Sequence, residues 1–118
     1  MAQSTEILPN GLQLLQDDRF FKLGQDSVLL SAFAKPRRNA KLLDLGCGTG
    51  TLALLVWRPD LKITGLELQD GPLDLFRQSI AANELENVTA LQGDLRQMRT
   101  LLPHGSMDYV ICNPPYFD

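Results

Sequence analysis

A glycine-rich turn follows an apolar strand pattern near the middle of the chain. The pattern at residues 41–45 runs directly into the turn 46–50, Gly-Cys-Gly-Thr-Gly. Glycine lets the backbone approach a ligand closely, and amides at the start of a following helix point outward as donors. The dinucleotide pattern G-x-G-x-x-G needs glycine where this chain has Thr51, and Asp44 disfavours a pyrophosphate. The turn predicts a site for a cationic ligand; the alternative is a structural turn in which Asp44 caps backbone groups.

Two more acids follow the next two strand patterns. Glu67 lies 17 residues after Gly50, where doubly wound folds place an acid that binds both ribose hydroxyls. Asp94 is placed to accept a hydrogen bond from the exocyclic amine of an adenine, with Leu95 against the ring; taken alone, Asp94 is explained equally well as a helix cap. Because open α/β sheets bind ligands at the carboxyl ends of their strands, the acids together predict a nucleoside site.

The fourth strand pattern ends in Asn113-Pro114-Pro115-Tyr116. A planar amine conjugated to a purine or a carbonyl is a poor nucleophile, because its lone pair is delocalised. The Asn113 side-chain oxygen and the Pro114 carbonyl can accept both of its hydrogens, while the proline rings fix the backbone. Tyr116 can stack on a flat substrate and position it. The motif predicts group transfer to a planar amine; the alternative is a rigid proline turn that closes the strand.

These residues require a scaffold in which strands alternate with helices. Four patterns predict strands, at residues 41–45, 62–66, 88–92 and 107–112. Three predict helices, at residues 51–56, 72–83 and, more weakly, 95–102. This alternation predicts an α/β protein with a parallel sheet covered by helices on both faces, half of a doubly wound, Rossmann-like fold.

The front of the chain has a different pattern. Residues 12–16 and 19–23 predict a β-hairpin, joined by Asp17-Asp18, and Asp26 can cap a short helix at 27–34. We therefore divide the chain into an amino-terminal hairpin and helix, residues 1–40, and a Rossmann-like core, residues 41–118.

Composition limits the classes of function. The chain has 118 residues, of which 44% are hydrophobic and 21% charged, and a net charge of -3. This predicts one soluble domain, and any polyanion must be bound by local patches. A basic run could be such a patch, although a solvated loop explains it more simply; the run contains Lys35, Arg37, Arg38 and Lys41. No apolar stretch is long enough to span a bilayer and no secretory signal is present, so we expect a cytoplasmic protein.

The two cysteines, Cys47 and Cys112, have neither a disulfide framework nor a metal-ligand spacing. We expect both to be reduced and buried as small apolar groups, and we expect no metal site.

The order of these motifs resembles that of the class I, Rossmann-like methyltransferases of the Asn-Pro-Pro-Tyr type, which use S-adenosylmethionine (SAM). Residues 21–30, 65–69 and 112–117 narrow the resemblance to the bacterial small methyltransferases that modify an adenine amine beside the anticodon of valine tRNA. The resemblance implies SAM as cofactor, whose sulfonium and ammonium charges suit Asp44, and tRNA as substrate. It implies cofactor contacts at Asp44, Gly46, Cys47, Gly48, Gly50, Glu67, Asp94 and Leu95, and catalytic contacts to the substrate amine at Asn113, Pro114, Pro115 and Tyr116.

Members of that family continue past this motif with further strands that complete the sheet. We therefore expect the strand at 107–112 to have an open apolar edge, which predicts a homo-oligomer formed through it. Two other functions remain open: methylation of a glutamine amide in a protein, and SAM binding without catalysis. A nicotinamide-binding domain is disfavoured by Thr51 and Asp44.

Overall fold

The computed structural model describes residues 3–17, 34–97 and 106–112, without the side chain of Leu95. The strands of the described chain are β1 (Gln3–Ile7), β2 (Gln13–Asp17), β3 (Lys41–Leu45), β4 (Lys62–Glu67), β5 (Val88–Gln92) and β6 (Tyr109–Cys112). Its helices are α1 (Thr51–Leu55), α2 (Asp70–Ala82) and a 3-10 helix at Leu95–Gln97. Within these residues, no helix has the length and apolar character needed to cross a membrane.

The main sheet contains four parallel strands in the order β5-β4-β3-β6. The chain adds β4 and β5 on one side of β3 and then returns to place β6 on the other side. The carboxyl ends of β3 and β6 therefore flank the point where the strand order reverses, and at such a point open α/β sheets bind their ligands. In register, Asp44 of β3 lies between Gly65 of β4 and Ile111 of β6.

The predicted parallel α/β sheet is confirmed, and its element bounds differ little from those predicted. Strands β3 and β5 have the predicted bounds, β4 continues to Glu67, and β6 begins two residues later, at Tyr109. Helix α2 begins earlier, at Asp70, because an acidic residue suits the first turn and Pro72 is still tolerated there. The predicted helix at 95–102 is described only as the 3-10 helix, and residues 98–102 lie outside the described part.

A two-stranded hairpin is present in the amino-terminal region, as predicted, and its described strands are β1 and β2. Strand β2 pairs with the preceding strand β1, antiparallel, from Gln3 opposite Asp17 to Ile7 opposite Gln13. The turn between them is closed by hydrogen bonds from Leu8 N to Leu12 O (2.8 Å) and from Gly11 N to Leu8 O (2.8 Å). Residues 19–23 and 27–33, on which the predicted second strand and helix fall, lie outside the described residues.

The hairpin packs against α2. Asn83 accepts a hydrogen bond from Gln13 N (2.8 Å) and donates one to Gln13 O (2.7 Å), and Ser79 Oγ accepts one from Leu15 N (2.9 Å). Leu14 of the hairpin is fully buried in the same hydrophobic core as the main sheet. The division of the chain at residue 40 stays a prediction, but the described hairpin is held against α2 by polar as well as apolar contacts.

One aromatic ring fills the space between the glycine turn and β4. Phe76 of α2 is fully buried, and a Cβ placed on Gly50 would lie 2.1 Å from its Cδ1. A Cβ on Gly65 would lie 2.5 Å from its Cε2 and 2.9 Å from Cys47 Sγ. Gly50 also has a φ of 90°, a left-handed conformation that glycine adopts readily. The ring therefore packs against backbone at two places where a side chain would collide with it.

We predict that Gly65→Ala lowers the free energy of unfolding by about 1–3 kcal/mol, because the added methyl group overpacks a fully buried site. Urea unfolding monitored by circular dichroism measures this loss. Ser4→Thr is the control: it adds one methyl group at an exposed position of β1, where a change in stability of less than about 0.5 kcal/mol is expected. Equal stability of Gly65→Ala and the wild type would contradict the tight packing of Phe76.

Candidate active site at the carboxyl ends of the strands

The glycine turn is fixed to the neighbouring strand by backbone hydrogen bonds. Cys47 N donates to Leu66 O of β4 (3.0 Å), and Gly50 N donates to Cys47 O (2.9 Å). Gly46 is exposed and Gly48 half-buried, so the turn presents backbone to solvent at the carboxyl edge of the sheet. The predicted glycine turn therefore lies at the ligand-binding edge.

Glu67 lies at the end of β4, beside this turn. Its Oε1 accepts a hydrogen bond from Gly48 N (2.8 Å), and its Oε2 accepts one from Gln69 N (2.9 Å). Its backbone carbonyl accepts a third from Gly93 N (3.0 Å). Because a carboxylate has about four acceptor positions, the amides orient Glu67 and leave acceptor capacity free for a ligand.

Asp44 is a buried carboxyl at the switch point of the sheet. Asp44 is 1% exposed, and its Oδ2 has no hydrogen-bond partner within the described part of the chain. Burial raises the pKa of Asp44 to about 7; a backbone hydrogen bond from Ala53 lowers it, and the nearby charge of Glu67 raises it further. An unpaired buried carboxylate is costly, so the site favours a cation or a hydrogen-bond donor beside Oδ2.

The two cysteines have different environments. Cys47 is buried, and its Sγ lies under the turn, close to Gly65. Burial, followed by the charges of Asp44 and Glu67, raises the pKa of this thiol, so it stays neutral and acts as a small apolar group. Cys112 is exposed, so the expectation that it is buried is wrong. It ends β6, the edge strand of the described sheet, where fewer neighbours cover it.

Asp94 already has partners of its own. Its Oδ1 accepts a hydrogen bond from Arg96 N (2.9 Å), which caps the 3-10 helix, and its Oδ2 pairs with Arg96 Nη2 (2.6 Å). The Arg96 side chain lowers the pKa of Asp94 to about 2. This geometry is that of a helix cap, which was the alternative role of Asp94 inferred from the sequence. The predicted contact with adenine would have to use the remaining acceptor positions of the carboxylate.

Leu68 is a feature of this edge that the sequence reasoning missed. It follows Glu67 and is 60% exposed, although it is a large apolar residue. Its carbonyl accepts a hydrogen bond from Gln92 Nε2 (3.2 Å), and the same amide nitrogen also donates to Asp70 Oδ1. The only signal in the sequence is an apolar residue placed just after a strand that ends in an acid.

The predicted catalytic residues Asn113, Pro114, Pro115 and Tyr116 lie outside the described residues, as does the side chain of Leu95. The structure describes β6 up to Cys112, the residue before this motif, and pairs Cys112 with Leu45 at the end of β3. The motif therefore begins directly after the described carboxyl end of β6.

We predict that Asp44→Asn is more stable than the wild type above neutral pH. The wild-type carboxyl binds its proton more tightly when folded, with a pKa of about 7 against 3.8 for the ordinary group, so wild-type stability falls as pH rises through this window. The neutral amide avoids this loss, which amounts to up to about 4 kcal/mol. Urea unfolding at about pH 5 and about pH 8 measures the difference, which should grow with pH. Asp74→Asn, an exposed change on α2, is the control. A difference between Asp44→Asn and the wild type that does not change with pH would contradict the prediction.

The chain is similar to proteins of known sequence and of known structure. The tRNA1(Val) (adenine(37)-N6)-methyltransferase of Pseudoalteromonas translucida is 36% identical over 99 residues, which are 82% of this chain and 41% of that protein. The 16S rRNA N2 G1207 methyltransferase RsmC of Thermus thermophilus, solved with AdoMet and guanosine, has 21% identity and a TM-score of 0.78, over 98% of this chain and 33% of that one. TrmN from Thermus thermophilus has 26% identity and a TM-score of 0.63, over 75% and 27% of the two chains.

The chain thus spans about two fifths of the length of the curated relative. The structural similarity to RsmC confirms the Rossmann-like fold. The family match covers residues 24–118, which include the glycine turn, Glu67, Asp94 and the Asn-Pro-Pro-Tyr motif. The chain belongs to the methyltransferase small domain family.

Proposed function

We propose that this chain supplies the cofactor site of a SAM-dependent N-methyltransferase that acts on an exocyclic adenine amine in tRNA. The observation that carries the proposal is the buried Oδ2 of Asp44, which has no partner in the described chain and lies at the switch point beside Glu67. A site with two acids and no described basic partner for either suits a cationic nucleoside better than a phosphorylated one.

The described residues fit the parts of SAM. Asp44 would accept from, or pair with, a positively charged group of the methionine portion. Glu67, already oriented by two amides, would accept both ribose hydroxyls. The exposed Leu68 would give the adenine an apolar surface, and Asp94 would accept a hydrogen bond from its amine while it keeps its contact with Arg96.

The catalytic step is assigned to the motif that follows β6. When bound, SAM would supply its sulfonium methyl group to the amine nitrogen and leave as the neutral thioether product, and the proton released from the nitrogen would pass to solvent. Asn113 and the Pro114 carbonyl would hold the two amine hydrogens, and Tyr116 would stack on the base. These contacts position the amine in line with the methyl group.

The choice of tRNA adenine as substrate rests on relatives. The name of the Pseudoalteromonas protein specifies an adenine N6 amine of tRNA, and this chain is 36% identical to that protein over 99 residues. A protein carrying out this reaction is expected in the cytoplasm. The predicted homo-oligomer is also retained as a proposal: β6 is an edge strand of the described sheet, and its Val110 is 55% exposed.

We predict that Glu67→Gln weakens SAM binding by about tenfold or more. In glutamine, an amide nitrogen replaces one of the two carboxylate oxygens and cannot accept a hydrogen bond. Gly48 N or Gln69 N therefore loses its acceptor, and the ribose also loses an acceptor. Calorimetric titration with SAM and with its demethylated product measures the change. The control is Glu84→Gln, the same substitution at an exposed residue after α2. Unchanged affinity in Glu67→Gln would contradict the assigned ribose contact.

We predict that Asn113→Ala abolishes methyl transfer to bulk tRNA from radiolabelled SAM and leaves the dissociation constant for SAM within about twofold, because Asn113 is assigned to the substrate amine alone. SAM binding by the wild type without transfer to tRNA would favour the non-catalytic alternative. Transfer to a protein glutamine in place of tRNA would favour the amide alternative.

A further inference from the structure

The opposite edge of the sheet carries a cluster of basic residues. The amino ends of β3 and β4 and the segments that lead into them contain Lys35, Arg37, Arg38, Lys41, Arg58 and Lys62, here called the basic edge. The only acids among or bonded to these residues in the described chain are Asp60 and Asp108. Six cations and two carboxylates leave a net charge of +4 on this edge, whereas the whole chain carries -3. Glu84 and Glu86 precede β5 and lie beside Trp57 and Pro59, so the amino end of the sheet as a whole carries six cations and four carboxylates, +2, and its positive charge is concentrated at β3 and β4.

The backbone under these cations is held rigidly. Arg58 donates to Pro36 O (2.9 Å) and Arg37 O (3.3 Å), and pairs with Asp60 (2.9 Å). Asp60 Oδ2 also accepts a hydrogen bond from Asn39 N (2.8 Å), and Pro36 is buried. The segment before β3 is thus a fixed platform, which reduces the entropy that ligand binding would cost.

The cations of this platform face outward. Lys41 and Lys62 are the first residues of β3 and β4, are neighbours in register and are both exposed. Adjacent strands lie about 4.8 Å apart, so the two lysines can contact successive oxygens of an extended anion. Lys35 and Arg38, in the segment before β3, are also exposed, and the Arg37 side chain is 75% exposed even though it pairs with Asp108.

From this arrangement we infer that the basic edge binds the phosphate backbone of the substrate RNA, at a second contact remote from the methylation site. The inference rests on the proposed function for the identity of the polyanion. Strands of this length separate the two edges of the sheet by roughly 15 Å. An RNA held at both edges must extend past the side of the sheet, as a folded tRNA can. The acidic carboxyl edge repels phosphate, so attraction by the basic edge would supply binding energy that the cofactor site cannot.

The experiment is a titration of fluorescently labelled bulk tRNA, followed by anisotropy, between about 50 and about 200 mM salt. Lys62→Gln should lower the slope of log affinity against log salt by about 1 and weaken binding roughly three- to tenfold. Lys41→Gln/Lys62→Gln should lower the slope by about 2. Arg77→Gln is the matched control, because it removes one exposed positive charge from α2, away from this edge.

Loss of tRNA affinity in the lysine variants, with Arg77→Gln unchanged, would support the inference. Equal losses in Lys62→Gln and Arg77→Gln, or wild-type affinity and salt slope in the double variant, would overturn it. Calorimetry with SAM on the same variants separates this question from the proposed function. Variants that lose tRNA affinity but keep SAM affinity would identify the basic edge as an RNA-binding site. A wild type whose tRNA affinity depends on Lys62 but that does not bind SAM would refute only the proposed function.

Discussion

The candidate site depends on the carboxylate of Glu67 and the amides that bind it. Gly48 N, in the loop after β3, and Gln69 N, in the loop after β4, both donate hydrogen bonds to this carboxylate. Gly93 N, in the loop after β5, donates one to the backbone carbonyl of the same residue. Three successive loops are therefore positioned around one residue. A charge-assisted hydrogen bond is stronger than a neutral one, so an acid at this place organises the edge even before a ligand binds.

The sheet also separates charge between its ends. At the carboxyl end, Asp44 and Glu67 lie close enough for each to affect the pKa of Cys47, and Asp70 begins the next helix. At the amino end, Lys41 and Lys62 begin neighbouring strands. One end thus suits a small cationic ligand and the other a polyanion. Because the two charges are kept apart, a protein with a net charge of -3 can still present a positive surface.

How much the sequence could predict depended on the strength of the local signal. Strands β3 and β5 could be predicted with their observed bounds because short apolar runs are bounded by polar or glycine-containing segments. The partner of β2 could not, because every residue of β1 is exposed and the strand shows no alternation of apolar and polar residues. Only Pro9-Asn10-Gly11, a typical turn sequence, pointed to a hairpin at that place.

For the site, the sequence could place Asp44 and Glu67 because strand ends in a parallel sheet converge on one edge. It could not separate the two roles of Asp94, since a helix cap and a ligand acceptor require the same residue at the same strand end. The contact of Asp94 with Arg96, two residues away, depends on the side-chain conformation of an 89% exposed arginine. The exposure of Leu68 depends equally on the packing of α2, which a linear pattern does not contain.

The packing of Phe76 and the chemistry of Asp44 are connected through Gly65. Gly65 pairs in register with Asp44, and the Phe76 ring occupies the space that a side chain at Gly65 would need. The ring therefore lies beside the strand position of Asp44, which is itself 1% exposed. Burial is the main reason that the pKa of Asp44 is raised to about 7. The close packing that stabilises the fold thus also keeps a carboxyl in a medium of low polarity, where a cationic ligand gains most from its charge.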